Sequence, residues 1–384
     1  MARQKPNTAA SAVNNGLEGV VVAATAICDV RGAEGDLRYR GRSIDYWIEQ
    51  DFVTAAAAIL DLESLGVDLD LAATLFDCGA LSRAERALVQ DLRTARAGQE
   101  LHPMAILQGI VPLLERDAPR ELGERHGWTN PLQLEALKGV VIAAKLPQIV
   151  ALLASSDTSV GAVEYPAEPD YSVRFLRMLG IKQPSALQLR AFTVTQILQL
   201  EHSLNAGTFA ARVVASTQAS MPAAVSGALG ALSGALHGGA DQAAIEMADM
   251  VGHADAAQDF VARALANKTK IMGMGHREYK VLDPRAVHVR ELAEALAQGT
   301  PHAATFATLI AIEAAFSKEM SRNNKALHAN LEFYKGIVYR ALGVPDRAFT
   351  AVFAMARVFG YVAHVLEGRG TARIIRPAAL YVGN

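Results

Sequence analysis

The stretch IMGMGHREYKVLDPR, residues 271–285, collects residue types that can hold and activate a small ligand. Gly273 and Gly275 lead into His276, and glycines allow the backbone to approach a ligand or adopt positive φ. An imidazole next to such a turn can polarise a carbonyl or move a proton. Arg285 follows Pro284, whose ring fixes the local turn, and its planar fork matches a carboxylate. Taken alone, the stretch fits a helix-ending glycine turn with a surface histidine equally well. Further candidates follow the same logic. His202 stands in EHSLNAGTFAARVV, and His237 closes SGALGALSGALHGGA just before Gly238 and Gly239. His237 is either a cleft-facing histidine or a helix C-terminal residue complementing the dipole. Glu332 in LEFYKGIVY, between Leu331 and Phe333, is a candidate base or a solvent-facing helix residue. Arg357 has apolar residues on both sides in FAMARVFGYVAH, and a buried arginine requires an anionic partner. Arg376 stands in IIRPAALYVG. The chain has no HExxH, P-loop, GxGxxG or GxSxG pattern. Arginines converging with histidines in the absence of a metal motif suit a small substrate with two carboxylates.

The elements that must position these residues are mostly helical. With 384 residues, 51% of them hydrophobic, the chain can bury a large core and divide into two or three domains. Aromatics at 6% and abundant alanine favour closely packed helices over sheet. A net charge of −2 argues against nucleic acid or a membrane surface as partner. No apolar stretch of about 18 uncharged residues predicts a membrane span, and the polar N-terminus has no secretory h-region. Cys28 and Cys78 belong to no CxxC or metal spacing, which predicts a reduced, cytoplasmic protein with two apolar fillers. The first fifteen residues read as disordered. A short hairpin is predicted around Gly32–Gly35. Helical periodicity covers residues 84–96, 131–153 and 187–206, with Ser82 and Glu85 as a capping box. His202 and Asn205 fall in a helical context ending near Gly207, Pro147 predicts a break or kink near Leu146, and residues 165–171 read as a loop. The fold class is mainly α, with a short N-terminal β element.

The segments ALHGGA, IMGMGHREYKVLDPR, EFYKGIVYRALG and IIRPAALYVG, with the opening GLEGVVVAATAICDV, occur in an order that resembles the citrate synthase family from about Gly16 to the C-terminus. The resemblance implies a multi-helical homodimer with a large domain (residues 16–238 and 345–384) and a small domain (239–344) closing over a cleft. It implies a Claisen-type condensation of acetyl-CoA with oxaloacetate, then hydrolysis of citryl-CoA to citrate and free CoA. The coenzyme A thioester is a co-substrate, and no cofactor is permanently bound. Matched motif by motif, His202 helps hold oxaloacetate, His237 stabilises the enol and His276 polarises the ketone. Arg285 and Arg357 grip carboxylates, and Arg376 reaches into the neighbouring subunit's site. Gly273, Met274 and Gly275, with Lys270, lie against coenzyme A.

One position departs from the pattern. The family's segment reads Asn-Val-Asp-Phe-Tyr-Ser-Gly with the aspartate as base, whereas this chain has Glu332, with Lys335 at the serine position. Glu278 also replaces a residue that is usually apolar or small. An added methylene moves the carboxylate by roughly 1 Å, a displacement that can cost about 100-fold in rate. The residues leave open a slow citrate synthase, a relative whose backbone has adjusted, a 2-methylcitrate synthase using propionyl-CoA, and a weakly catalytic or silent oxaloacetate-binding paralogue. On the residues alone, Glu332→Asp is expected to be at least as active as the parent.

Overall fold

The computed structural model describes residues 13–14, 16–94, 101–114, 117–323, 326–370 and 373–383. The expected disorder of the first fifteen residues therefore lies, but for Val13 and Asn14, outside the described residues. A three-stranded antiparallel sheet forms near the N-terminus from β1 (Cys28–Arg31), β2 (Asp36–Tyr39) and β3 (Arg42–Ser43). The predicted hairpin is β1–β2, in register Cys28 with Tyr39 and Arg31 with Asp36. The apolar run before Cys28 is not strand; Val20, Val21 and Val22 are exposed.

The rest is helical. The helices that position the candidate residues are α1 (Arg83–Thr94), α2 (Pro131–Ala154), α3 (Ala186–Gln199), α4 (Ala206–Ser216), α5 (Met221–Leu232), α6 (Ala240–Val251), α7 (Pro284–Ala297), α8 (Leu331–Ala341) and α9 (Phe349–Arg369). The capping box holds: the Ser82 amide donates to Glu85 Oε2 at 2.9 Å and the Glu85 amide to Ser82 Oγ at 3.2 Å. Helix α2 corrects the expected break, because it continues unbroken through Pro147. A mid-helix proline costs about 3 kcal/mol in isolation. Here nearly every residue from Ala136 to Leu153 is buried, so tertiary packing outweighs that cost.

Helix α9 is buried along its length from Phe349 to Leu366, as an all-round apolar helix must be. It packs on α2, α3, α4 and α5. Its approach to α2 is close at Gly139, where a Cβ would lie 2.4 Å from Val362 Cγ1. Helices α2 and α9 are long and apolar enough to cross a membrane, but 94% and 100% of their apolar windows are buried inside the protein. They are core helices.

The helical reading of residues 187–206 also needs correction. Helix α3 stops at Gln199, and residues 200–205 form a loop that carries His202. Asn205 then caps α4, its side chain accepting from the Thr208 amide at 3.1 Å. An asparagine competes for the backbone and starts helices better than it continues them.

Candidate active site

Three loops and three helices carry the candidate residues other than Arg376 and Lys270. The first loop carries His202 and is supported from below by β2. The buried Tyr39 hydroxyl donates to the carbonyls of Ile197 (3.2 Å) and Glu201 (3.1 Å). The second loop is the glycine stretch before His276. Gly273 has φ +75°, and a Cβ there would sit 2.9 Å from Phe333 Cα, so only glycine permits this contact with α8. Met274 pairs with Ala329 as an isolated bridge, and the Gly275 amide donates to the His328 carbonyl at 2.8 Å. The turn is thereby joined to the chain that enters α8. The third loop links α5 to α6 and carries His237 in a turn, its amide donating to the Gly234 carbonyl at 2.9 Å. His237 thus follows a helix end by several residues and is not a plain cap.

His202, His276 and Tyr279 form one cluster. The two imidazole centroids are 5.2 Å apart, and His202 Nε2 lies 3.1 Å from the Tyr279 hydroxyl. His276 Nδ1 accepts from the amides of Glu278 (3.0 Å) and Tyr279 (3.3 Å). In the neutral ring this places the proton on Nε2. Arg285 Nη2 lies 3.4 Å from that Nε2. Two donors facing one another call for a shared acceptor between them, such as a carbonyl or carboxylate oxygen of a ligand.

The charge states agree. Burial, then Arg285, pushes His276 down to about 4. Burial, then Arg357, pushes His237 down to about 4, against the opposing pull of Glu332. Burial, then Arg285, holds His202 well below the usual imidazole range. All three are neutral donors or acceptors at neutral pH.

The arginines divide. Arg285, buried at the start of α7, is already clamped by Asp283: Nε donates to Oδ1 at 3.0 Å and Nη2 to Oδ2 at 2.9 Å. Arg357 sits 1% exposed at the middle of α9. Its Nε donates to the Gln199 carbonyl at 2.7 Å, and its guanidinium stands over Phe353 at 4.7 Å. Among the described residues no carboxylate pairs with it, so its expected anionic partner is not part of the fold. Arg376 is exposed in the extended C-terminal stretch and is not joined to this cluster within one chain.

Glu332 occupies the first turn of α8, where the helix N-terminus favours a carboxylate. Asn330 caps the helix and accepts from the Glu332 amide at 3.0 Å. The Glu332 carboxylate forms an ion pair with Lys335 on the same helix. His237 and His276 both feel its charge, which opposes the downward push of burial on each ring. His237 Nε2 is buried with no hydrogen-bond partner. A buried orphan of that kind marks a position where a ligand atom completes the pairing. A small cleft borders Gly275, His276, Tyr279, Leu327 and Asn330, on the turn expected to meet the coenzyme. Gly273 is buried, Met274 and Gly275 are half-buried, and Lys270 is exposed. Among the described residues no cluster of histidine, cysteine or carboxylate side chains could hold a metal ion.

Sequence reasoning missed Tyr279, Asp283, Gln199 and Asp241. Tyr279 and Asp283 lie inside the 271–285 stretch itself and were open to discovery as the residues spaced to meet His276 and Arg285. Gln199 and Asp241 carry no local signal, because only tertiary packing brings them to Lys335.

Comparison with known proteins supports these observations. The family model "Citrate synthase, C-terminal domain" matches residues 16–378. The citrate synthase of Synechocystis is 32% identical over 371 residues, covering 96% of this chain and 90% of that protein. The 2-methylcitrate synthase of Shewanella oneidensis is 33% identical over 370 residues, covering 96% of this chain and 94% of that protein. The citrate synthase of Thermoplasma acidophilum, solved as a ternary complex with carboxymethyl coenzyme A and oxaloacetate, superposes with TM-score 0.82 at 25% identity, covering 96% of each chain.

Proposed function

The chain belongs to the citrate synthase family, and we propose that its cleft joins acetyl-CoA to oxaloacetate and hydrolyses the resulting citryl-CoA to citrate and free CoA. One observation carries the reading of the site: a buried Arg357, paired with no carboxylate among the described residues, shares the site with neutral histidines and a carboxylate at a helix N-terminus. A dianionic keto acid supplies the missing charge for Arg357 and the shared acceptor between His276 and Arg285.

In this mechanism Glu332 takes a proton from the methyl group of the thioester. His237, neutral, donates to the developing enolate oxygen through Nε2, which requires the tautomer protonated there. His276 Nε2–H polarises the ketone of oxaloacetate, and the enol carbon attacks it. His202, Arg285 and Arg357 hold the keto acid so that the two carbons meet in line. Water then hydrolyses the thioester, releasing CoA. Gly273, Met274 and Gly275, with Lys270, receive the coenzyme.

The same proposal includes a small lobe, residues 239–344, closing on the remainder to exclude water from the enol. It also includes a homodimer in which Arg376 serves the other subunit's site. Exposed Ile374, Leu380 and Val382 near Arg376 support that placement, since one chain leaves them open to solvent. Free Cys28 and Cys78 fit a cytoplasmic setting.

The test is CoA release, followed with a thiol reagent, from acetyl-CoA and propionyl-CoA in the presence of oxaloacetate. Faster release from acetyl-CoA is expected. Equal release from both would defeat a strict citrate assignment, faster release from propionyl-CoA would assign the 2-methylcitrate reaction, and no release together with a melting shift on adding oxaloacetate would support an oxaloacetate-binding protein.

A further inference from the structure

Lys335 lies in a setting where a lysine is costly. It is 0% exposed, yet its ammonium is surrounded by polar and aromatic groups from four helices. Nζ donates to Gln199 Oε1 at 2.9 Å, lies 3.2 Å from Asp241 Oδ2, pairs with Glu332 and stands 4.3 Å from the Phe353 ring centroid. Gln199 is itself fixed, its Nε2 donating to the Tyr339 hydroxyl at 2.7 Å and to the Thr195 carbonyl at 2.8 Å. The same residue's carbonyl receives Arg357 Nε. The ammonium is therefore held in place by α3, α6, α8 and α9 before any substrate arrives.

Two consequences follow for Glu332. Lys335 is its i+3 neighbour on α8, the spacing at which side chains on one face meet. Glu332 Oε2 is buried and accepts no hydrogen bond among the described residues, and its ion pair there is with Lys335. That contact tethers one oxygen of a side chain one methylene longer than aspartate and leaves Oε1 for the substrate. A lone ammonium would also weaken the carboxylate as a proton acceptor. Asp241, fully buried on α6, lies on the ammonium and offsets its charge. The remaining titratable or charged groups facing Glu332 are His237 and His276 from the loops and the Tyr339 hydroxyl on α8, with Arg357 of α9 facing His237.

We propose that Lys335 is the positioning residue that draws the Glu332 carboxylate into working position, and that Asp241 is the counter-charge that keeps Glu332 basic while Lys335 holds it. This rests on Glu332 being the base. Glutamate at 332, lysine at 335 and aspartate at 241 then form one unit, and the methylene that looked like a defect is taken up by the tether. It also reverses the expectation for Glu332→Asp: the shorter side chain loses Lys335 and loses activity.

The test is steady-state CoA release across pH for the full-length parent, K335M, D241N, D241N/K335M, E332D and E332D/K335S, with circular dichroism to confirm folding. K335M is expected to lower kcat at least about 10-fold, with KM for both substrates within about two-fold. Its acid limb should move up by about one pH unit, and that of D241N should move down. The charge-neutral double variant D241N/K335M, which keeps a measurement available if K335M does not fold, should hold the parental acid limb while kcat stays low. E332D should fall about 10-fold, and E332D/K335S should recover most of that loss. Limbs that move together, a K335M or double variant with parental kcat, or an E332D at or above the parent would each overturn the proposal. A parent that releases no CoA would instead overturn the catalytic reading, and the positioning role with it.

Discussion

The side chain of Asn330 donates through Nδ2 to the carbonyl of Gly275 at 2.8 Å, while its Oδ1 caps the helix that carries Glu332. One residue thus fixes both the glycine turn next to His276 and the start of α8. Asn330→Ala should lower stability by about 1 kcal/mol through loss of the cap. It should also lower kcat by about 10- to 100-fold, because Glu332 and His276, the proposed base and ketone-polarising residue, lose their common anchor. Thermal unfolding and CoA release measured together check this; a parental kcat would mean that the turn and the helix hold their places independently.

Arg357 gives a prediction with two signs. Arg357→Gln removes the cation for a substrate carboxylate and should raise KM for oxaloacetate by about 100-fold or more. The ligand-free protein should lose little stability, because the charge removed has no carboxylate partner among the described residues. Melting curves with and without oxaloacetate separate the effects: the midpoint shift on adding the keto acid should vanish. A large fall in the ligand-free midpoint would assign Arg357 a structural role.

The histidines predict an acid transition. His237 and His276 are pushed from 6.5 to about 4 in the folded chain, so folding favours their neutral forms. The stability they contribute is present above pH 6.5 and is lost as the pH falls through about 4. Asp241 works the other way. Burial raises it from 3.8 to about 6, so its contribution is present below 3.8 and is lost as the pH rises through about 6. With His202 and His102 depressed as well, four histidines oppose Asp241, and the melting temperature should fall between pH 6.5 and 4. The double variant His237→Asn/His276→Asn should flatten that slope. An unchanged slope would locate the acid sensitivity elsewhere.

The exposed Arg376 predicts complementation between subunits. Arg376→Ala and Glu332→Gln should each be nearly inactive as homodimers. Mixed and reassembled in equal amounts, half of the dimers are hybrids with one intact site, so about a quarter of parental activity should return. No recovery, with hybrid dimers demonstrated by mass, would place the role of Arg376 within its own chain.

The long motifs made the fold legible in the sequence and singled out His202, His237, His276, Arg285 and Arg357 as candidates, because each motif carries its own turn chemistry. Helix ends were less legible. The stretch 187–206 reads as one periodic helix, yet it divides at the His202 loop because Tyr39, far away in sequence, holds the carbonyls of Ile197 and Glu201. Pro147 shows the converse, local preference overruled by burial. Lys335 was visible only as an oddity. Its meaning depends on Asp241 and Gln199, separated from it by 94 and 136 positions respectively in the numbering.

Helix α9 is made after every helix it packs against, yet it fills the centre of the molecule. A chain growing from the ribosome therefore carries the apolar faces of α2, α4 and α5 for as long as synthesis of some 130 or more residues takes, roughly ten seconds or longer at ordinary elongation rates. Cooperative collapse waits for residues 349–366. Until then the nascent chain carries apolar helix faces without their packing partner, the kind of surface that makes a folding intermediate prone to aggregate.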